Sequence, residues 1–351
     1  MRTDNSQTAM SRIGWVDFSK GICIILVVLL NTTYGVEKAT GTVTLFNSFN
    51  DWARPFRMPD FFFIAGLFLM RRIDRPWRSY LDTKVIHFAY FYIIWMTIWY
   101  VVRLPQYIEA GGLEGALLLY LKSYVEPLGS LWFIYMLSVF FVAAKLTRPL
   151  PVWLVFGVGA LLHTLQIDTG SRVIDEFSSR FIYFYAGFVF APYAFSIAQF
   201  MYKQKGAALI TGLTIWAVLN AWLVFGHYAQ LPGISLILGF IGTGAVVTSG
   251  VLLSKTRLGN PVRYLGENTL VVFLSYFLFS VAARIILLKT GIVEDASLVV
   301  VLASFAGIIG PVIAHALVRH TPLAFLYKRP DAFRLKQRQP YALNREKLST
   351  D

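Results

Sequence analysis

The sequence predicts an all-α, polytopic membrane protein with about ten transmembrane helices, and three observations lead to this prediction. The 351 residues are 56% hydrophobic and 16% aromatic, with a mean hydropathy of +0.59, which is more apolar than a soluble domain of this size. Long apolar runs recur along the whole chain. The basic residues fall mainly in alternate loops between these runs, as membrane topology requires.

The apolar runs, taken in order, predict ten spans. The fifth run is short, and residues 112–124 fit either a re-entrant or an interfacial helix, which leaves the count open by one. No internal repeat is evident, so we expect a single membrane domain over residues 1–351. The spans lie near residues 20–34, 56–70, 85–102, 129–146, 152–165, 181–200, 207–225, 234–253, 265–288 and 298–318.

The distribution of charge predicts the orientation. With ten spans, the N-terminal segment (residues 1–12) and the basic tail (residues 321–351) lie on one side, together with the loops that are rich in Lys and Arg. The positive-inside rule places that side in the cytoplasm, with the spans in a bacterial-type inner membrane. This topology explains the net charge of +13, so we expect membrane lipids and no nucleic acid as partners. The oligomeric state is not predicted.

Several kinds of site are excluded or not expected. The single cysteine, Cys23, excludes an intrachain disulfide. No removable signal peptide is expected, because no small-residue cleavage site precedes the first long apolar run. The five histidines show no metal-ligand spacing, so no metal site is predicted.

The first span carries a polar stripe. Lys20 and Asn31 are eleven residues apart, which puts them on one helix face about 16 Å apart. Asp17 lies three residues before Lys20, so the two can pair. Polar groups placed in this way usually line a bundle interior or a cavity. The alternative is that Asp17 and Lys20 reach the membrane surface while Asn31 bonds to a neighbouring helix.

The second span is flanked by arginines. Arg57 lies at its outer entry, and Asp60 lies just inside it. On the cytoplasmic side, Arg71 precedes Arg72 and Arg75, which share a face if the helix continues. Paired guanidinium groups suit phosphate oxygens. Plain membrane anchoring explains the same arginines equally well.

Later spans supply weaker pocket candidates. Trp132 and Tyr135 follow a Gly/Pro-broken entry to an aromatic helix, where an interfacial aromatic belt is the simpler explanation. Glu267 opens the ninth span and either caps it or faces the bundle. Arg284 lies within the same span and requires a partner, such as an outer acidic residue.

Together these segments resemble the membrane-bound acyltransferase family 3, whose members are O-acyltransferases of polysaccharides, lipids and glucans. The Asp-Phe-Ser-Lys sequence that begins at Asp17 is similar to the start of the family's first motif, in which a basic residue is followed by ten residues and a histidine. The other matching segments are Met-Pro-Asp-Phe-Phe-Phe-Ile-Ala-Gly (58–66), the Arg72/Arg75 pair, Leu-Trp-Phe (131–133) and Gly-Glu-Asn-Thr-Leu-Val-Val-Phe (266–273).

The resemblance implies a mechanism. Acyl-CoA, with acetyl-CoA the expected donor, would bind from the cytoplasm with its phosphates on Arg72 and Arg75. The acyl group would pass to a hydroxyl of an envelope carbohydrate or lipid on the outer side. The histidine of the first motif would act as a general base or acyl carrier.

The sequence departs from the family at this histidine. Position 31 is Asn, whose carboxamide has no useful basicity near neutral pH. Ser275 also stands where many relatives have another histidine. Three explanations remain open: an engineered loss of the base, a natural member with another base such as Asp60, Glu267 or an outer histidine, or a non-catalytic binder. A transporter or flippase of a lipid-linked or small solute is the alternative function, and a structural partner in an envelope assembly is a third.

Overall fold

The computed structural model describes residues 3–335. Within this range the chain forms fourteen α-helices and no strands, together with short 3₁₀ turns and one π-helical segment, Asp82–Ile86. The helices are α1 (Thr3–Thr40), α2 (Leu45–Ala53), α3 (Pro59–Leu67), α4 (Trp77–Leu81), α5 (His87–Lys122), α6 (Trp132–Leu146), α7 (Val152–Thr164), α8 (Arg172–Val189), α9 (Ala191–Lys203), α10 (Gly206–Phe225), α11 (Ile234–Ser254), α12 (Asn260–Glu267), α13 (Thr269–Thr290) and α14 (Ala296–Val318).

The predicted all-α, polytopic membrane fold is confirmed. Seven helical segments are long and apolar enough to cross a bilayer, and α8 and α9 together form an eighth candidate that is bent by 73°. The other two predicted spans correspond to α7, with 13 residues, and α3, with 9. Both are shorter than the roughly 20 residues that a straight span needs. The chain is therefore a multi-pass membrane protein.

Two predicted segments are interrupted in the structure. The backbone of α5 is non-helical at Gly112, where φ is +67°, so a second helical segment follows this kink and ends at Lys122, where a helix was predicted over residues 112–124. The predicted span at residues 181–200 breaks at Phe190. Pro192 lies in the first turn of α9 and has no N–H to donate to the carbonyl of Phe188, so α8 does not continue into α9.

Helix α1 lies at the centre of the bundle, in contact with α11, α12, α13 and α14. Small residues allow the backbones to come close. Gly21 lies against the carbonyl group of Val262, and Gly266 lies against the carbonyl group of Asp17. The crossing of α3 and α8 is built in the same way, by one glycine from each helix. The polar stripe of α1 is therefore held by close backbone packing.

The described part of the predicted basic tail packs against the helices. Arg329 forms a buried ion pair with Asp82 at 2.9 Å, and the Tyr327 hydroxyl donates to Ser275 Oγ at 3.0 Å. The indole N–H of Trp95 donates to the carbonyl of Leu326. Residues 336–351 of the predicted tail, and residues 1–2, lie outside the described residues.

Candidate functional site

A cavity of about 830 Å³ opens at the end of the bundle where α1 ends. Its walls come from α1, α5, α6, α8 and α13, together with the turn before α3 and the turn before α6. Asn31 lies on its wall, as does Thr32. The cavity is therefore at the opposite end of α1 from Lys20.

Polar groups surround Asn31 at the inner part of this cavity. The Asn31 amide donates from Nδ2 to the carbonyl of Val27 at 2.8 Å, which leaves its amide oxygen to accept a hydrogen bond. On α13, the buried Tyr276 hydroxyl donates to the Ser130 hydroxyl, and both residues line the cavity. The Thr32 hydroxyl is buried without a hydrogen-bond partner among the described residues. Hydroxyl and amide groups thus converge where an acceptor could be oriented.

The break before α6 positions two of these lining residues. Gly129 has φ +55° and packs against the Trp99 ring, where a side chain would collide with it. This turn brings Ser130 and Trp132 to the cavity. Tyr135, predicted as a pocket residue beside Trp132, lies instead in a separate groove and packs edge-on against Tyr92.

The second predicted segment contributes one residue to the cavity. Arg57 lines it, and the guanidinium donates from Nη1 to the carbonyl of Asn50 at 3.0 Å. Asp60 is fully buried in the first turn of α3 beside the Cys23 thiol, and it does not line the cavity. Neither carboxyl oxygen of Asp60 has a hydrogen-bond partner in the described part of the chain.

At the other end of the bundle, the predicted pairing of Asp17 and Lys20 is confirmed. Lys20 Nζ lies 2.9 Å from Asp17 Oδ1 and 5.4 Å from the centroid of the Phe68 ring. Phe68 directly follows α3, so this ion pair lies beside the segment that carries Arg71, Arg72 and Arg75.

Arg72 and Arg75 were expected to share a helix face only if the helix of the second span continued through them, and it does not. Helix α3 ends at Leu67, and the following residues form turns. Leu69 and Ile73 are buried within these turns, and the Lys145 ammonium donates to the carbonyls of Ile73 and Arg75. The backbone carbonyls are therefore satisfied from α6 and not by a continued helix.

The described cavity does not reach this basic end. Cys23 and Ile24, which lie between Lys20 and Asn31 on α1, are fully buried. Glu267, the remaining predicted pocket residue, is exposed and forms an ion pair with Arg263 at 2.9 Å. It lies outside the cavity.

Most of the charged residues that line the cavity were not among the site residues predicted from the sequence. Arg103, Arg172 and Arg180 line it from α5 and α8, and Arg284 lines it from α13. The acidic partner expected for Arg284 is not found among the described residues. A charged residue inside an apolar span was the one signal available, and only Arg284 showed it clearly.

A neighbouring cavity of about 430 Å³ contains an outer histidine. His163 Nδ1 lies 2.7 Å from the carbonyl oxygen of Ser179, and Nε2 lies 3.1 Å from Ser235 Oγ. Because Nδ1–H donates to a carbonyl, Nε2 is the nitrogen that can accept from the serine hydroxyl. Arg180 lines both cavities and separates this histidine from Asn31.

Comparison with known proteins identifies the family. The family model described as "Acyltransferase domain" (acyltransferase family 3) matches residues 13–316, which include the whole polar stripe and both cavities. The chain belongs to acyltransferase family 3. The acyltransferase is also 24% identical over 298 residues to the inner membrane protein YcfT of Escherichia coli (strain K12), covering 75% of this chain and 78% of the relative. No solved structure matches the chain.

Family membership gives the coarse function. It supports acyltransferase activity in a membrane, and it does not favour the alternative of a transporter or flippase. It also gives the arrangement around Asn31 a chemical context, because acyl transfer to a hydroxyl needs a group that orients the hydroxyl and accepts its proton.

Proposed function

We propose that this acyltransferase moves an acyl group, most simply acetyl, from acyl-CoA to a hydroxyl of an envelope carbohydrate or lipid. The observation that carries the proposal is the 830 Å³ cavity with Asn31, which is similar in position to the family's histidine, on its wall. The basic end of the bundle faces the cytoplasm in this proposal, and the cavity faces outward.

The donor binds with its CoA phosphates at the basic end, and its acyl group reaches the cavity along α1, where the packing around the fully buried Cys23 and Ile24 has to open. The guanidinium groups of Arg71 and Arg75 are exposed and that of Arg72 is partly exposed, so all three are accessible to a ligand. Asp74, the acidic residue within this segment, is already paired with Arg148 at 3.2 Å. Guanidinium groups that no carboxylate neutralises match the phosphates of CoA through paired donors.

The acceptor binds in the cavity. Asn31 supplies a hydrogen-bond acceptor for the reacting hydroxyl and orients it, and the hydroxyls of Ser130 and Tyr276 lie on the facing wall. A carboxamide cannot take the proton that leaves when the ester forms. We therefore expect slow acyl transfer by the protein with Asn31 and faster acyl transfer by a variant with an imidazole at position 31.

The test measures acetyl-CoA binding and CoA release, with water as the acceptor of the acetyl group, using the purified full-length protein in lipid nanodiscs. Asn31→His is expected to raise CoA release by about a hundredfold or more, the usual contribution of a general base. Arg72→Ala is expected to weaken acetyl-CoA binding by about tenfold, the value of one charge-assisted contact.

Arg257→Ala is the matched control, because Arg257 is exposed at the same end of the bundle and forms no ion pair among the described residues. It should leave acetyl-CoA binding unchanged. The enzyme proposal fails if neither wild type nor Asn31→His releases CoA and Arg72→Ala leaves acetyl-CoA binding intact. That result would favour a non-catalytic member of the fold.

A further inference from the structure

The cavity around Asn31 carries an excess of positive charge. Glu176 is the one acidic residue among the described residues that line it, and it is paired with Arg180 at 3.3 Å. The other five cations form no ion pair within residues 14–335. The basic residues that line the cavity are Lys38, Arg57, Arg103, Arg172, Arg180 and Arg284.

Two of these arginines are held by neutral backbone groups. Arg57 donates from Nη1 to the carbonyl of Asn50, and its buried Nε has no partner among the described residues. Asp51, the nearby carboxylate, is already paired with Arg54 at 3.1 Å. Arg172 donates from Nη1 to the carbonyl of Gly129 at 3.1 Å. These contacts fix the guanidinium groups without an ion pair, although the Glu126 carboxylate lies beside Arg172 and accepts from its backbone N–H at 3.1 Å.

The other two lining arginines on α5 and α13 are fixed by packing. The guanidinium of Arg103 lies 4.4 Å from the centroid of the Phe277 ring, a cation–π contact. Arg284 lies against Gly35 of α1, where any side chain would overlap with its guanidinium. Arg103 and Arg284 are also close enough for their charges to repel.

This concentration of charge is not explained by membrane anchoring. The positive-inside rule predicts few basic residues on the outer side, yet six converge there on one cavity. Lys38 and Arg172 are exposed to solvent, but the other four cations are partly buried, and like charges held close together in a cleft attract a counter-ion. The geometry is that of an anion-binding site that opens beside Asn31.

We propose that the acceptor is an oxyanion-bearing polyol, whose phosphate or carboxylate group binds between Arg103 and Arg284 and so presents a hydroxyl to Asn31. This inference deepens the proposed function and rests on it, because the bound polyol is an acyl acceptor only if the protein transfers acyl groups. The binding of an oxyanion in the cavity can be tested without acyl-CoA, so it can fail or succeed independently of acyl transfer.

The probe is inorganic pyrophosphate, titrated by calorimetry at low ionic strength into the full-length protein in phosphatidylcholine nanodiscs. All proteins carry Arg71→Ala, Arg72→Ala and Arg75→Ala, so that the proposed CoA-phosphate site does not contribute. We expect saturable binding that Arg103→Gln and Arg284→Gln each weaken by about tenfold. Arg257→Gln, the same change at an exposed arginine outside the cavity, should have no effect.

Arg284→Lys is the control for misfolding. It keeps the positive charge and should retain a higher affinity for pyrophosphate than Arg284→Gln. Equal pyrophosphate affinity in the Arg103→Gln, Arg284→Gln and Arg257→Gln proteins would overturn the proposal. So would displacement of pyrophosphate by acetyl-CoA from this cavity, because the site would then bind the donor.

A second arm identifies the source of the oxyanion. In nanodiscs that contain equal amounts of phosphatidylcholine and phosphatidylglycerol, the anionic surface repels pyrophosphate from all the variants alike. A lipid headgroup in the cavity lowers the pyrophosphate affinity of the protein with Arg284 by a larger factor than that of Arg284→Gln, whereas an oxyanion that belongs to a soluble carbohydrate leaves the two factors equal. Either result supports an oxyanion site, provided that the arginine variants behave as expected.

Discussion

The crossing of α3 and α8 gives the most direct test of the fold that positions the cavity. Gly187 of α8 lies on the backbone of Phe63, and Gly66 of α3 lies on the backbone of Phe184. In Gly187→Ala the new methyl carbon would fall 2.0 Å from the carbonyl oxygen of Phe63. The two helices would have to separate by about 1.4 Å to restore an ordinary contact of 3.4 Å.

The cost of that separation can be bounded. Overpacking a well-packed site usually destabilises a protein by about 1–3 kcal/mol. Here the obstructing atom belongs to the backbone and not to a flexible side chain, so we expect about 3 kcal/mol or more. The displacement also reaches the site, since Arg57 directly precedes α3 and Arg180 lies on α8. We therefore expect weaker pyrophosphate binding and slower CoA release in Gly187→Ala.

The assay is unfolding of the purified protein in mild detergent by added denaturing detergent, followed by circular dichroism. Gly244→Ala is the matched control, because a methyl group at this exposed position of α11 meets no atom within 4 Å. It should be neutral or stabilising by up to about 1 kcal/mol. If Gly187→Ala unfolds at the same detergent fraction as Gly244→Ala, the close approach of α3 and α8 is refuted.

Two further predictions concern the tail and the outer histidine. Arg329→Met, which leaves Asp82 buried and unpaired, should destabilise the protein by about 3–5 kcal/mol, whereas the exposed Arg334→Met should change its stability by less than about 1 kcal/mol in the same unfolding assay. His163→Gln should leave CoA release unchanged, because His163 lies in the neighbouring cavity. A loss of CoA release in this variant, with normal stability, would move the chemistry to His163 and Ser235.

Much of the helix order could be predicted from hydropathy. The run predicted at residues 234–253 is observed as Ile234–Ser254, and the run predicted at 207–225 is observed as Gly206–Phe225. The run at residues 56–70 is equally apolar, yet only Pro59–Leu67 is helical. Its end depends on Lys145, which comes from another helix and caps the carbonyls of the following turns. No local pattern contains that contact.

The sequence could predict only the part of the site whose residues lie on a single helix. The spacing of Lys20 and Asn31 indicated that α1 joins two ends of the bundle, and Trp132, a weaker pocket candidate, lines the cavity. The cationic cavity is different, because two helices, α6 and α7, separate Arg103 from Arg172 in sequence. Their meeting depends on the kinked α5 and on the turn at Gly129, which tertiary packing sets.

The charge of the cavity and the identity of residue 31 are connected. An imidazole at position 31 that accepted a proton would add a positive charge close to residues such as Arg103 and Arg284, whereas Asn31 stays neutral throughout a reaction. A base at this position therefore works best when an oxyanion already occupies the cavity and offsets the arginines. It follows that transfer to a neutral acceptor would gain less from Asn31→His than transfer to an anionic acceptor, which has both a binding site and an active base.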